Sequence, residues 1–505
     1  MAEEKRVAIL YVAIWTVFIL VCTALWLQID KTFLLHESVF HYYLGETISR
    51  LFTDDLVYSV KNLFLHTPTY RWHGFFVGLA LSPFYWYRYI SQDAAIFLQA
   101  ALFLPVLFFS TYAIGARLFS KRCGLLAAVI VGCYPGVFSH THVFLLDLPL
   151  TALVSAGVYS IVVLAEKITF RRLLFFLIVS LCGIFTKINF IAFIFGPALY
   201  AVMQRKQSLP HCRRTRHWFQ LGLAVCFLAL AAVPYFISKG EVIAARLYEC
   251  SWLNPCYHSA KGFGDTVCYW FKITGSYFYM FFFNFFQNSL SWILTIPFLA
   301  SASVLLKQRK GAVLFVWLAA PILMLSLFFH HCTAMRYYMP VLPACALMTA
   351  EGLRRQRLIT NKKALFLAFG FLAFVQFIAL SFICKLPHRQ TDSLSFFPNN
   401  HAVLAYRNGN LSQGGFVPHR TVWPVEQMYT DIMDCVENDK SRVHKVFFLA
   451  PLAEIYYPLY HKMNVRSDWV ILYWPSTAEE ERYREKGGYE GWIRTADFII
   501  DIEGL

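Results

Sequence analysis

The chain has 505 residues, of which 58% are hydrophobic and 15% charged, with 45 Lys and Arg against 30 Asp and Glu and a formal net charge of +15. So low a charged fraction excludes an ordinary soluble domain, where about a quarter of residues are charged, and a surface this apolar would associate in water. The basic excess does not indicate nucleic acid, because Lys and Arg are gathered in short turns between apolar runs instead of on one continuous face.

About 20 apolar residues are needed for a helix to cross the hydrocarbon layer. The first run, Val7–Leu27, follows Lys5-Arg6, lacks a small-residue cleavage site and reads as a retained anchor. A long polar and aromatic stretch follows, from Gln28 to Gln92. Further spans are predicted at Ala94–Ala116, Cys123–Phe138, Pro149–Ala165, Leu173–Thr186 and Phe190–Met203. The second half adds Trp218–Ile237, Leu290–Leu306, Val313–Phe329, Val341–Gly352 and Leu365–Cys384, for about eleven spans.

With the N-terminus in the cytoplasm, the basic clusters Arg117–Arg122, Lys167–Arg172, Arg205–Arg216, Lys307–Lys310 and Arg354–Lys363 all fall inside. Counting Gly74–Tyr89 as a further span would move every later cluster outside. That segment, rich in Phe, Trp and Tyr, is therefore expected to lie along the outer interface. An odd number of spans places the tail outside. Within the tail, Val446–Ala450, Trp469–Trp474 and Asp497–Ile502 read as strands and Ser476–Lys486 as a helix, a small α/β unit without a glycine-rich phosphate loop. The expected fold is mainly α: a polytopic bundle over 1–385 and a small α/β domain over 386–505.

The 13 cysteines show no CxxC and no zinc spacing. Cys250, Cys256 and Cys268 share one outer loop, where a disulfide and reduced packing are both open. The tripeptide Asn410-Leu411-Ser412 is a sequon in form.

Polar residues at membrane depth are costly and often functional. They gather at five places, all on the expected outer side: His36-Glu37 after the first span; His66-Thr67-Pro68; Tyr134-Pro135 with His140, His142 and Asp147; Thr186-Lys187; and Arg336-Tyr337 with Pro340 and Pro343. A carboxylate there can deprotonate an acceptor hydroxyl, and Glu37 and Asp147 fit that role. Arginine holds a phosphate in bidentate fashion, which favours Arg336, with Lys187 beside it. Paired carboxylates holding a divalent cation are the alternative way to neutralise a phosphate. Each residue also has a structural reading. Asp147 can serve a helix N-terminus, Lys187 can snorkel, Arg336 can pair with an outer carboxylate, and His66 can be an interfacial polar residue.

The five elements, in this order, resemble the GT-C membrane glycosyltransferases of the dolichyl-phosphate-mannose protein mannosyltransferase and aminoarabinose transferase type. The resemblance covers the first 385 residues. It implies an enzyme that transfers a sugar from a polyprenyl-phosphate donor to an acceptor at the outer face. The implied catalytic residues are Glu37, Asp147 and His36, and the implied donor-phosphate residues Lys187, Arg336, Tyr337 and His66. It also implies membrane lipid as a partner, no nucleic acid, and a cell membrane, with a bacterial inner membrane expected. The chain departs from the family at His36-Glu37, where Asp-Glu is usual, and at Thr67-Pro68, where Pro-Pro is usual. An inactive relative acting as a scaffold and a lipid or sugar transporter are the competing readings. Transporters tend to carry internal repeats, and none is visible here.

Overall fold

The computed structural model describes residues 2–29, 74–85, 92–208, 292–305, 311–328, 335–355, 362–378, 444–449, 469–473 and 498–501, with isolated positions between 48 and 290. The chain divides into two compact units, residues 1–28 with 41–418, and residues 29–40 with 419–505.

The first unit is helical. Helix α1 (Ala2–Ile29) is followed by α2 (Phe76–Tyr85), α3 (Gln92–Leu118), α4 (Lys121–Cys133) and the single turn α5 (Pro135–Phe138). Next come α6 (Asp147–Glu166), α7 (Phe170–Ile184) and α8 (Phe190–Ser208), and then α9 (Trp292–Leu305) and α10 (Ala312–Phe328). A 3₁₀ helix (Met335–Val341) runs directly into α11 (Leu342–Arg355), and α12 (Lys362–Ile378) follows. Among the described residues three helices are long and apolar enough to cross a membrane: Arg6–Ile29, Asp93–Leu118 and Asp147–Glu166. The expected spans at Cys123–Phe138, Leu173–Thr186, Phe190–Met203, Leu290–Leu306, Val313–Phe329, Val341–Gly352 and Leu365–Cys384 each contain a helix, but a shorter or less apolar one. Most of Trp218–Ile237 lies outside the described residues.

Local sequence explains several boundaries. Ser120 caps α4, its hydroxyl accepting from the Cys123 N–H at 3.2 Å, and Thr169 caps α7 in the same way through Arg172. The expected span Cys123–Phe138 breaks at Tyr134, which is extended (φ −66°, ψ 125°). The residue before a proline is pushed out of the helical region, and Pro135 follows. Pro340 has the same kind of effect ahead of α11. It lacks an N–H and crowds the preceding turn, and the backbone there winds as a 3₁₀ helix.

Helix α6 is the centre of the unit. Sixteen of its 20 residues are buried, and it packs against α3, α7, α8 and the 3₁₀ helix. Ser110 on α3 donates to Ser155 on α6 at 2.8 Å, so the polar groups between these two helices satisfy each other. At the other end of α6, Glu166 takes Arg117 at 2.6 Å, and Arg172 covers the Val163 carbonyl at 2.7 Å. Glu351, buried on α11, accepts from Nε and Nη2 of Arg354 at 2.6 and 2.7 Å and also from Arg355.

Helix α2 is ten residues long, about 15 Å. That is half the hydrocarbon thickness; residues 86–89 of the expected interfacial segment lie outside the described residues. The start of α2 is tied to the turn between α7 and α8. The Gly74 N–H donates to the Thr186 carbonyl at 3.2 Å and the Phe76 N–H to the Phe185 carbonyl at 2.9 Å. Gly74 is required here by space: a Cβ would stand 1.7 Å from the Phe185 carbonyl oxygen.

The second unit contains a three-stranded parallel sheet of β1 (His444–Leu449), β2 (Trp469–Tyr473) and β3 (Phe498–Asp501), in the order β2-β1-β3. Val446 is in register with Ile471 on one side and Phe498 on the other. The strands fall within a few residues of their expected places. Parallel strands need crossover connections, and the helix expected at Ser476–Lys486 falls in the connection from β2 to β3, outside the described residues.

Candidate functional site

The segment between α5 and α6, residues 139–146, is fully buried and anchored from several sides. Thr141 accepts from Thr23 of α1 at 2.9 Å and donates to the Phe138 carbonyl at 2.8 Å. The His142 ring stacks on Trp26 of α1 at 3.6 Å between centroids, with Phe138 edge-on. Gln99 of α3 donates to the Leu145 carbonyl. This loop delivers Asp147 to the first turn of α6.

Asp147 Oδ1 takes Lys187 Nζ at 2.8 Å. The side chains are 1% and 2% exposed, so this is a buried ion pair between residues forty positions apart in sequence. Lys187 therefore does not snorkel toward an interface. It sits in the turn Phe185–Asn189, whose backbone closes through Lys187 N–H to the Gly183 carbonyl at 3.0 Å. Asp147 Oδ2 is buried and has no hydrogen-bond partner among the described residues. The 3₁₀ helix brings Tyr337 against the pair, with Lys187 Nζ 5.3 Å from the ring centroid and the Arg336 guanidinium carbon also 5.3 Å from it. Both distances lie within cation–π range.

His140 lies in the same buried loop. The residue is 3% exposed, and Nδ1 lies 2.8 Å from the Gly136 carbonyl oxygen and 3.2 Å from Ser139 Oγ. Burial pushes the imidazole down to about 4, reinforced by Arg336 and Lys187 and opposed by Asp147 and the Gly136 carbonyl. The ring is neutral at pH 7.

Of the site residues expected from sequence, Asp147, Lys187, Arg336 and Tyr337 are brought together by the fold. Glu37, His36 and His66 lie outside the described residues. Among the described residues, no group of three or more His, Cys, Asp and Glu is placed to hold a metal ion. Sequence reasoning noted His140 within the motif but did not place it in the site.

Residues 89–236, which contain Asp147 and Lys187, match a family model described as dolichyl-phosphate-mannose-protein mannosyltransferase. The backbone is similar to that of ArnT from Cupriavidus metallidurans in the apo state, with TM-score 0.51 and 16% identity, over 95% of this chain and 89% of that one. ArnT bound to undecaprenyl phosphate matches with TM-score 0.52 and 13% identity, over 98% and 90%. The fold is of the GT-C type. At this identity the likeness to ArnT is one of architecture. A comparison with curated protein sequences finds no match. The GT-C resemblance read from five short motifs thus agrees with the family match and with the backbone.

Proposed function

We propose that the chain is an integral membrane glycosyltransferase that moves a sugar from a polyprenyl-phosphate donor to a lipid, glycan or protein acceptor at the outer face. The observation that carries this reading is the buried Lys187–Asp147 pair with Arg336 and Tyr337 against it. Buried charges are expensive, and this cluster sits where the helices meet their connecting turns in a chain otherwise 58% hydrophobic. ArnT, whose fold is similar, binds undecaprenyl phosphate, which supports a lipid-phosphate donor here.

The chemistry follows from the groups present. The acceptor hydroxyl oxygen bonds to the anomeric carbon as the bond from that carbon to the phosphate oxygen breaks, through an oxocarbenium-like state. The lipid phosphate leaves with the electron pair, and cations stabilise its growing charge. Arg336 and Lys187 are the cations assigned to it. The acceptor proton passes to a carboxylate. Asp147 Oδ2, without a partner among the described residues, can take a donor while Oδ1 holds Lys187, and Glu37 is the second carboxylate assigned to this step.

Arg336→Ala is expected to lower turnover by about 10²- to 10³-fold, the usual loss for one donor to a developing anion. Arg336→Lys should restore only part, because an ammonium cannot clasp phosphate in bidentate fashion. The measurement is transfer from a labelled polyprenyl-phosphate sugar by purified protein at equal folded yield. Turnover of Arg336→Ala equal to wild type would remove Arg336 from the site.

The proposed arrangement is a transmembrane glycosyltransferase domain over 1–385 and an extracytoplasmic domain over 386–505, in a multi-pass cell-membrane protein with about eleven spans. The basic clusters between the apolar runs support this orientation. Reporter fusions after Lys363 and after Asp392 should then report opposite sides of the membrane. Reporting from the same side would change the span count by at least one.

A further inference from the structure

The loop that delivers Asp147 also holds a buried hydrogen-bond acceptor without a partner among the described residues. A carbonyl oxygen only accepts, so the 2.8 Å contact between His140 Nδ1 and the Gly136 carbonyl is a hydrogen bond only when Nδ1 carries the proton. The neutral ring then presents the lone pair of Nε2. That atom is buried and has no partner among the described residues. Leaving a buried acceptor unmet is unfavourable, so the site is built for a group that donates to it. The surroundings narrow that group's chemistry. His140 lies in the buried loop that leads directly into Asp147, the partner of Lys187 at 2.8 Å, and its acceptor nitrogen would repel a phosphate oxygen but accept from a hydroxyl. The ring is also held rigidly, because the flanking Thr141 and His142 are fixed to α1 by the Thr23 hydrogen bond and the Trp26 stack.

We propose that Nε2 of His140 accepts a hydrogen bond from a hydroxyl of the donor sugar and so helps to determine which sugar the site takes. This rests on the lipid-phosphate reading above. The loop that carries His140 also delivers Asp147 to Lys187, which is assigned to the phosphate, and the sugar is the group bonded directly to that phosphate. The acceptor's hydroxyl is the other source of the same chemistry, and binding measured without acceptor separates the two.

The test uses the full chain in lipid nanodiscs. Affinity is measured for undecaprenyl phosphate alone and for undecaprenyl phosphate bearing mannose, glucose, galactose or aminoarabinose. Wild type should bind at least one of the sugar lipids about fivefold more tightly than the bare lipid phosphate, the increment a single hydrogen bond supplies. His140→Asn keeps a donor near the Nδ1 position and removes Nε2. It should bind the bare lipid phosphate as wild type does and lose the sugar increment. His140→Gln, which carries an amide near the Nε2 position, should restore part of it. An unchanged increment in His140→Asn would overturn the proposal, as would equal weakening toward bare and sugar-bearing lipid, which is the mark of a structural role. Wild type binding bare lipid phosphate with no increment for any sugar would overturn it while leaving the lipid-phosphate reading intact. Wild type binding none of the lipids would remove both. Loss of turnover in His140→Asn with the increment retained would assign Nε2 to the acceptor instead.

Discussion

Lys187→Met is expected to destabilise the protein by about 3–5 kcal/mol, because it leaves the Asp147 carboxylate buried without the ammonium 2.8 Å away. The loss should appear as a lower thermal midpoint in detergent and a lower folded yield. Asp147→Leu combined with Lys187→Met replaces both charges by apolar groups of similar volume, and such swaps of buried pairs are often neutral or stabilising. The double variant should therefore recover most of the lost stability. Turnover separates a structural pair from a functional one. If the pair only holds the turn Phe185–Asn189 against α6, recovered stability brings recovered transfer. If Lys187 meets phosphate and Asp147 meets the acceptor proton, the double variant folds and stays inactive, and inactivity is the expected result. A double variant with near wild-type turnover would assign the pair to architecture and leave Arg336 and Glu37 to carry the chemistry.

That pair also marks how far the sequence could be read. Asp147 and Lys187 stand out singly because charges are rare in apolar runs, and Arg336-Tyr337 stands out because it precedes two prolines at a span start. The direct ion pair between Asp147 and Lys187 is not legible. Whether α6 and the turn after α7 place these two side chains together depends on helix rotation and on a turn whose backbone fixes Lys187 inward, and periodicity carries neither at the ends of spans. The same limit applies to Glu351. It reads as one acid before a basic cluster, and only the fold shows its side chain buried beneath Arg354 and Arg355. The three tail strands were readable because short runs of β-branched and aromatic residues between polar segments leave few alternatives. The break at Tyr134 was readable in principle from Pro135, but an unbroken apolar run across it masks the signal. In the sequence Gly74 is only the first residue of an aromatic segment. Its reason for being glycine lies in residues more than a hundred positions away.

Gly74→Ala is accordingly expected to damage the site from outside it. The added methyl would stand 1.7 Å from the Phe185 carbonyl oxygen, 2.1 Å from its carbonyl carbon and 2.8 Å from its Cα. All three are backbone atoms, which cannot rotate aside as a side-chain tip can. Either the start of α2 moves away and the two backbone hydrogen bonds to Phe185 and Thr186 are lost, or the turn carrying Lys187 shifts. Overpacking of this kind costs about 1–3 kcal/mol, which a large helical unit can absorb. The effect on catalysis should be greater, because a displacement of about 1 Å in a positioning element can cost about 10²-fold in rate. Gly370→Ala is the control. Gly370 lies on α12 with nothing among the described residues within 4 Å of the position a Cβ would take, so alanine there should be neutral or stabilise the helix by up to about 1 kcal/mol. Folded yield, thermal midpoint and transfer from a labelled polyprenyl-phosphate sugar, measured on both variants, give the comparison. Turnover in Gly74→Ala matching that of Gly370→Ala would show that the contact between α2 and the Phe185–Asn189 turn does not set the position of Lys187. Turnover lowered in Gly74→Ala alone, with the midpoint only slightly reduced, would tie α2 to the placement of the cation.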